Sequence, residues 1–183
     1  MPSEPDEWLM AQVADGKRSC LEVLVRRYAT PLLSFIGRMV GDRHQSEELF
    51  QEVFLAVWTK RHQYQFPRPF KAWIYAIALN QCRAAFRSPA PQALSLDQYP
   101  SAAVFARDPS PVEKVVGTET ASLVSAAVAR LPARQRAVIV LRVWQGMSYA
   151  EIAEVVGRKE ATVRAHMHHG LAAMRKYLEP RLG

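Results

Sequence analysis

The sequence has no apolar run approaching the roughly 20 residues that a membrane-spanning helix needs, so no transmembrane span is expected. Its first residues, MPSEPDEW, are acidic and lack the apolar stretch of a signal peptide. The chain is therefore expected to stay in the cytoplasm, without direct membrane insertion. There are only two cysteines, Cys20 and Cys82, in neither a CxxC nor a zinc-like spacing. A disulfide framework or a metal cluster is not expected from them, and two reduced, half-buried thiols are. His166 and His169 share a helical face, but zinc needs more ligands. No strand-like alternation of any length is present, and no internal repeat. There is also no phosphate loop, no nucleophile–base set and no metal motif. An enzyme, a cofactor and a metal are thus not expected.

What is present is a chain of 183 residues with 49% hydrophobic and 22% charged residues, enough apolar material for packed cores. That length suits one or two domains. The net charge of +7 is unevenly spread. Residues 1–87 carry 12 Lys or Arg and 9 Asp or Glu. Residues 88–129 carry 2 and 4, and residues 130–183 carry 10 and 4. The C-terminal third is therefore a small basic unit, for which a nucleic acid is the natural partner.

The strong periodicities are helical. Leu21, Leu24, Val25 and Tyr28 recur at three- and four-residue steps. Pro31, tolerated at an early helix position, is followed by Leu32, Phe35, Ile36 and Met39 on the same pattern. Gly41 stops that helix and Asp42 opens a polar turn. A further helix is predicted to begin near Ser46 in SEELFQEVFLAVWTKR, with Leu49, Val53, Ala56 and Val57 on one face and Phe50, Phe54 and Trp58 beside them. Glu47, Glu48, Gln51 and Glu52 lie elsewhere on it, near the end where negative charge suits the helix dipole. Two prolines in FPRP predict a turn over Tyr64 to Pro69. Another helix runs from about Phe70 to Phe86, with Trp73, Ile74, Ile77 and Ala78 as its apolar stripe. The segment SPAPQALSLDQYPSAAVFARDPSP then holds five prolines and reads as a flexible linker.

Periodicity returns after Glu119. Leu123, Ala126, Ala127 and Leu131 form one helix, and Pro132 opens the next, which includes Val138, Leu141 and Arg142. In QGMSYAEIAEVVGRKEATVRAHMHHGLAAMRKYL, Ser148 and Glu151 form a capping box. Gly157 suits a left-handed turn, and a second helix follows with Val163, Met167, Leu171 and Met174 predicted on its buried side. Two helices joined by such a turn make a helix-turn-helix, whose second helix enters the major groove N-terminus first. Lys159, Glu160, Thr162, Arg164, Ala165, His166 and His168 are then placed near base edges.

Both halves resemble a known family. SEELFQEVFLAVW followed by PFKAWIYAIALNQCRAAFR looks like region 2 of the extracytoplasmic-function group of bacterial sigma factors. LPARQRAVIVLRVWQGMSYAEIAEVVGRKEATVRAHMHHGLAAMRK looks like their region 4. The resemblance implies an all-α protein of two small helical domains: residues 1–87 as region 2, 88–118 as a flexible Pro-rich linker, and 119–183 as region 4 with the helix-turn-helix. It implies a factor that binds core RNA polymerase and directs promoter-specific initiation. Glu48, Leu49, Gln51, Glu52 and Phe54 would dock on the largest polymerase subunit. Lys71, Trp73, Asn80, Arg83 and Arg87 would melt and read the −10 element, with Asn80 close to the flipped-out base. Arg158, Lys159, Thr162, Arg164, His166 and His168 would read the −35 element. The first helices of region 4 would hold the flap of the second-largest subunit, the linker would follow the RNA exit path, and an anti-sigma protein would silence the factor.

The chemistry of the residues agrees, because melted bases need stacking platforms and a pocket. Tyr64, Phe66, Phe70, Trp73, Tyr75 and Phe86 cluster in sequence with Arg68, Lys71, Arg83 and Arg87. Core packing is the competing reading for each aromatic. The chain departs from the family pattern at Ala84, where Asp is usual, at Lys159, where a Ser cap is usual, and at His166, where Arg is common. These departures bear on which promoter is read. The alternative to a sigma factor is a conventional helix-turn-helix regulator, which would need a sensor or receiver domain.

Overall fold

In the computed structural model, residues 4–87 and 118–182 are described, and they form eight α-helices with no strand among them. The N-terminal half holds α1 (Asp6–Ala14), α2 (Arg18–Val40), α3 (Arg43–Thr59) and α4 (Phe70–Arg87). A single 3-10 turn at Arg61–Gln63 precedes α4. The C-terminal half holds α5 (Thr118–Ala129), α6 (Ala133–Val143), α7 (Tyr149–Val156) and α8 (Glu160–Leu182). The linker expected over 88–118 lies outside the described residues, apart from Thr118, which opens α5.

Local chemistry explains most boundaries. Gly41 takes the left-handed conformation (φ 78°) that closes α2, and its amide reaches Gly37 O. Asp42 then caps α3, accepting from the Gln45 amide at 2.7 Å, so α3 starts three residues before the predicted Ser46. Pro31 does not start a helix but lies inside the 23 residues of α2. Burial of Leu32, Phe35, Ile36 and Met39 beyond it holds the helix continuous despite the lost amide.

Helix α1 was not legible in the sequence. Leu9, Met10 and Val13 are buried, and burying such a side chain contributes about 1.5–3 kcal/mol over leaving it in water. Its acidic first turn reaches further. Asp6 pairs with Arg27 at 2.5 Å and accepts from the Tyr28 hydroxyl at 2.7 Å. Glu7 accepts from the Phe70 amide at 3.0 Å, so a carboxylate from α1 caps the first turn of α4. Burial, with Asp6 beside it, drives the Tyr28 hydroxyl well above the usual phenol range.

The two halves share one apolar core. The buried set runs from α1–α4 through Val128, Ala137, Val138 and Leu141 to Met147, Ile152 and Val163. Helix α4 lies along α7, and α2 lies against α5 and α6.

Candidate nucleic-acid interface

Helix α3 divides cleanly. Leu49, Val53, Phe54, Ala56 and Val57 are buried, while Glu48, Gln51 and Glu52 are exposed. Leu49 and Phe54, both placed by sequence on the polymerase-docking surface, therefore sit inside the core beneath it. Leu55, which sequence reading did not single out, is 62% exposed and completes the stripe 48, 51, 52, 55 at helical spacing. His44 extends it, with Nδ1 3.4 Å from Glu48.

The aromatics before and within α4 separate in the same way. Phe70 and Tyr75 are fully buried and Tyr64 is nearly so, packed edge to face with Tyr28, Phe35 and Trp73. These three cannot be stacking platforms for bases, because their rings already fill the core. Burial pushes the Tyr64 hydroxyl up to about 12, where it donates to Arg68 O. Phe66 (61%) and Phe86 (47%) are exposed and Trp73 partly so. Asn80 is exposed on the solvent flank of α4, while its neighbours Ala78, Leu79 and Cys82 are buried. Arg83 donates to Asn80 Oδ1 at 3.4 Å, and Arg87 is exposed one turn later. Burial pushes the Cys82 thiol up to about 12, so it is a core thiol.

The helix-turn-helix is formed by α7 and α8. Both arms of the capping box are present: Ser148 Oγ accepts from the Glu151 amide at 3.2 Å, and Glu151 accepts from the Ser148 amide at 2.7 Å. That second bond, with the Ser148 hydroxyl, holds the Glu151 carboxyl below the usual carboxylate range. Gly157 adopts φ 64°, open to glycine at no steric cost, and turns the chain into α8. Arg158, Lys159, Thr162, Arg164 and His168 are exposed, and His166 is half-buried. Arg164 is held in place, 2.5 Å from Glu160 and 4.4 Å above the Tyr149 ring. Leu171 is not on the buried side as expected; it is 47% exposed. Gly170 takes the inward position instead, where an added Cβ would come 2.6 Å from Ile139 Cδ1. The close approach of α6 to α8 turns Leu171 outward.

Between the halves lies a clasp centred on Gln145, in the loop from α6 to α7. Tyr75 Oη donates to Gln145 Oε1 at 2.6 Å, and Lys71 Nζ donates to the Gln145 carbonyl at 2.7 Å. Gln145 Nε2 donates to Pro31 O at 3.3 Å. Nearby, Arg136 donates to Met39 O at 2.5 Å, and the Arg38 guanidinium lies 4.8 Å from the Trp144 ring centroid. Lys71, placed by sequence on the −10 surface, is thus engaged with the other half. Arg83 and His166 face one cavity between the halves, rather than two separate DNA surfaces. No local pattern marks Gln145, because its partners lie 70 to 114 residues away in sequence.

The fold and these surfaces define an all-helical protein, among its described residues, whose C-terminal half carries a helix-turn-helix with an exposed basic face. The family model for sigma-70 region 2 matches residues 24–90, and that for sigma-70 region 4 matches residues 122–174. The chain is 33% identical over 152 residues to the ECF RNA polymerase sigma factor ShbA of Streptomyces griseus, covering 80% of this chain and 78% of that one. It is 30% identical over 161 residues to the ECF RNA polymerase sigma factor SigX of Bacillus subtilis, covering 86% and 83%. The solved structure of CnrH in complex with the cytosolic domain of CnrY superposes with a TM-score of 0.74 at 22% identity, over 97% of this chain and 99% of that one. The chain belongs to the extracytoplasmic-function group of RNA polymerase sigma factors. Among the described residues no helix is long and apolar enough to cross a membrane.

Proposed function

We propose that this sigma factor docks on core RNA polymerase through the stripe Glu48, Gln51, Glu52 and Leu55, with Leu49 and Phe54 holding that stripe in shape from below. Helix α4 then opens and reads the −10 element through Asn80, Arg83 and Arg87, with Trp73 as its half-exposed aromatic. The start of α8 reads the −35 element through Arg158, Lys159, Thr162, Arg164, His166 and His168. Residues 1–87 and 119–183 act as the two promoter-binding units, the second also meeting the second-largest polymerase subunit. The observation that carries this reading is the α3 stripe: an exposed acidic face with an outward leucine, on a helix whose other side is core. A conventional helix-turn-helix regulator has no need of such a face beside its DNA-binding half. The factor acts in the cytoplasm and performs no catalysis of its own.

Binding a promoter in this way requires the halves to part, since Lys71 is tied to Gln145 and Arg83 faces the C-terminal half. CnrH was solved with the cytosolic domain of CnrY; an anti-sigma partner for the present chain follows as part of the same reading. The test is transcription from a promoter library by core polymerase with and without the chain. Glu52→Lys should abolish polymerase capture while leaving the fold intact. Asn80→Ala should leave capture intact and reduce open-complex formation, since the lost base contacts are available only after unpairing, at a cost of about 1–3 kcal/mol. Unchanged capture by Glu52→Lys would remove α3 as the docking face. Wild-type behaviour of Asn80→Ala on both duplex and pre-melted templates would remove Asn80 from base capture.

A further inference from the structure

Where α4 meets α6 and the helix-turn-helix, the two halves line a half-open cleft of about 400 Å³. That is the size of a small-ligand site. Its walls carry Arg83 from α4, Arg134 from α6, and Arg158 and His166 from the helix-turn-helix, over an apolar floor of Val138 and Val156. No carboxylate among the described residues lines it. Among the described residues, none of the three arginines forms an ion pair. In this arrangement the half-buried Arg83 guanidinium lies near Arg134 and Arg158, with Arg87 nearby. Burial first, and then those like charges, lower its affinity for its proton. Holding the halves together therefore works against electrostatic repulsion here, and an anion would turn that repulsion into attraction. Guanidinium forks match phosphate oxygens two at a time, and several converging forks suit a chain of phosphates rather than a single carboxylate.

We propose that this cleft binds a compact oligophosphate, either an inorganic chain or the triphosphate group of a nucleotide, which bridges Arg83 to Arg134 and Arg158 and holds the two halves closed. A ligand that favours the closed form shifts the population towards it by its difference in affinity. Arg83, Arg158 and His166 would then be withdrawn from promoter DNA while the anion is bound. That last consequence rests on the promoter-reading roles proposed above; the binding itself does not.

The experiment is calorimetric titration of the full-length chain, without polymerase, using tripolyphosphate in one arm and GTP in the other. One equivalent should bind. Arg134→Gln, at an exposed position outside the promoter-reading residues, should weaken binding tenfold or more. Arg175→Gln, at the far end of α8, should not. Gln145→Ala loosens the clasp without touching the cleft and should also weaken binding, because the competent closed form becomes less populated. Hydrogen exchange at residues 144–148 should slow on adding tripolyphosphate to wild type and stay unchanged in Arg134→Gln. Equal binding to both anions assigns the site to the triphosphate group, and binding of tripolyphosphate alone assigns it to the inorganic chain. Absence of binding to either, or equal weakening by Arg134→Gln and Arg175→Gln, would overturn the proposal. Sigma-dependent transcription measured without oligophosphate reports on the proposed function alone, so the two readings fail separately.

Discussion

The two halves of this sigma factor are built on different reserves. Ten of the twelve largest fully buried side chains lie in α1–α4, among them Tyr75, Phe35, Phe70 and Met10, and only Ile139 and Leu141 lie in the C-terminal half. Helix α8 is as long as α2, yet buries only Val163 and Gly170, where α2 buries seven residues. The larger reserve of fully buried side chains therefore lies in the N-terminal half. The C-terminal half offers most of α8 to solvent and gains part of its burial by leaning on its neighbour, through Met147, Gln145 and Trp144.

The sharpest way to break this comparison is to remove apolar volume from each side in turn. Phe35→Ala should cost about 3–5 kcal/mol in denaturant unfolding. Because the core is continuous, it should loosen both halves in hydrogen exchange. Leu141→Ala should expose α5–α8 while α1–α4 keep their protection. Loss of protection throughout in Leu141→Ala would mean that the halves are equally dependent. Next in size is Gly170→Leu. Its side chain would meet Ile139 and Gln135, an overpacking expected to cost about 1–3 kcal/mol. Calorimetric melting checks this, and an unchanged midpoint would mean that α6 and α8 can separate freely.

Smaller effects sharpen the contrast at the helix ends. Glu7→Ala removes the cap on α4 and should cost about 1 kcal/mol, read as a lower unfolding midpoint and faster amide exchange at Phe70. Normal exchange there would show that α4 needs no help from α1. In the other half, Glu151→Gln should cost about 0.3–1 kcal/mol at neutral pH. The Glu151 carboxyl lies below its ordinary range when folded. The stability it contributes is thus fully present above the unfolded value of about 4.3 and is lost as pH falls through the lower folded value. The gap between wild type and Glu151→Gln should therefore close in strong acid; a constant gap from neutral to acid would assign the effect to something other than the charge.

Sequence periodicity was a good guide wherever one residue's neighbours on its own helix decide its place. It put Leu49, Val53 and Val57 inward on α3 and located the capping box and the turn at Gly157. It failed where a partner from elsewhere decides. Leu9, Met10 and Val13 share one face, but α1 is only nine residues long, too short a run to read as a helix from pattern alone, and it is held by docking. Tyr64, Phe70 and Tyr75 have the composition of stacking platforms, but the fold places their rings inside. Leu171 fits the helical spacing, yet the approach of Ile139 to Gly170 turns it out. Of the candidate surfaces, the exposed residues of α8 and α3 were legible in the sequence. The engagement of Lys71 by Gln145, and the meeting of Arg83 with Arg158 and His166, were not, because these residues are far apart in the chain.

The Gln145 clasp also has a consequence in time. Its partners, Pro31, Lys71 and Tyr75, leave the ribosome well before Gln145 does. The separation of 74 positions from Lys71 to Gln145, at about 5–20 residues per second, corresponds to several seconds of synthesis. Over that interval α1–α4 can already assemble their core, cap α4 through Glu7 and display the α3 stripe, while nothing yet restrains Lys71. Each newly made molecule thus passes first through an unclasped form and reaches the clasped one only when its C-terminal half arrives.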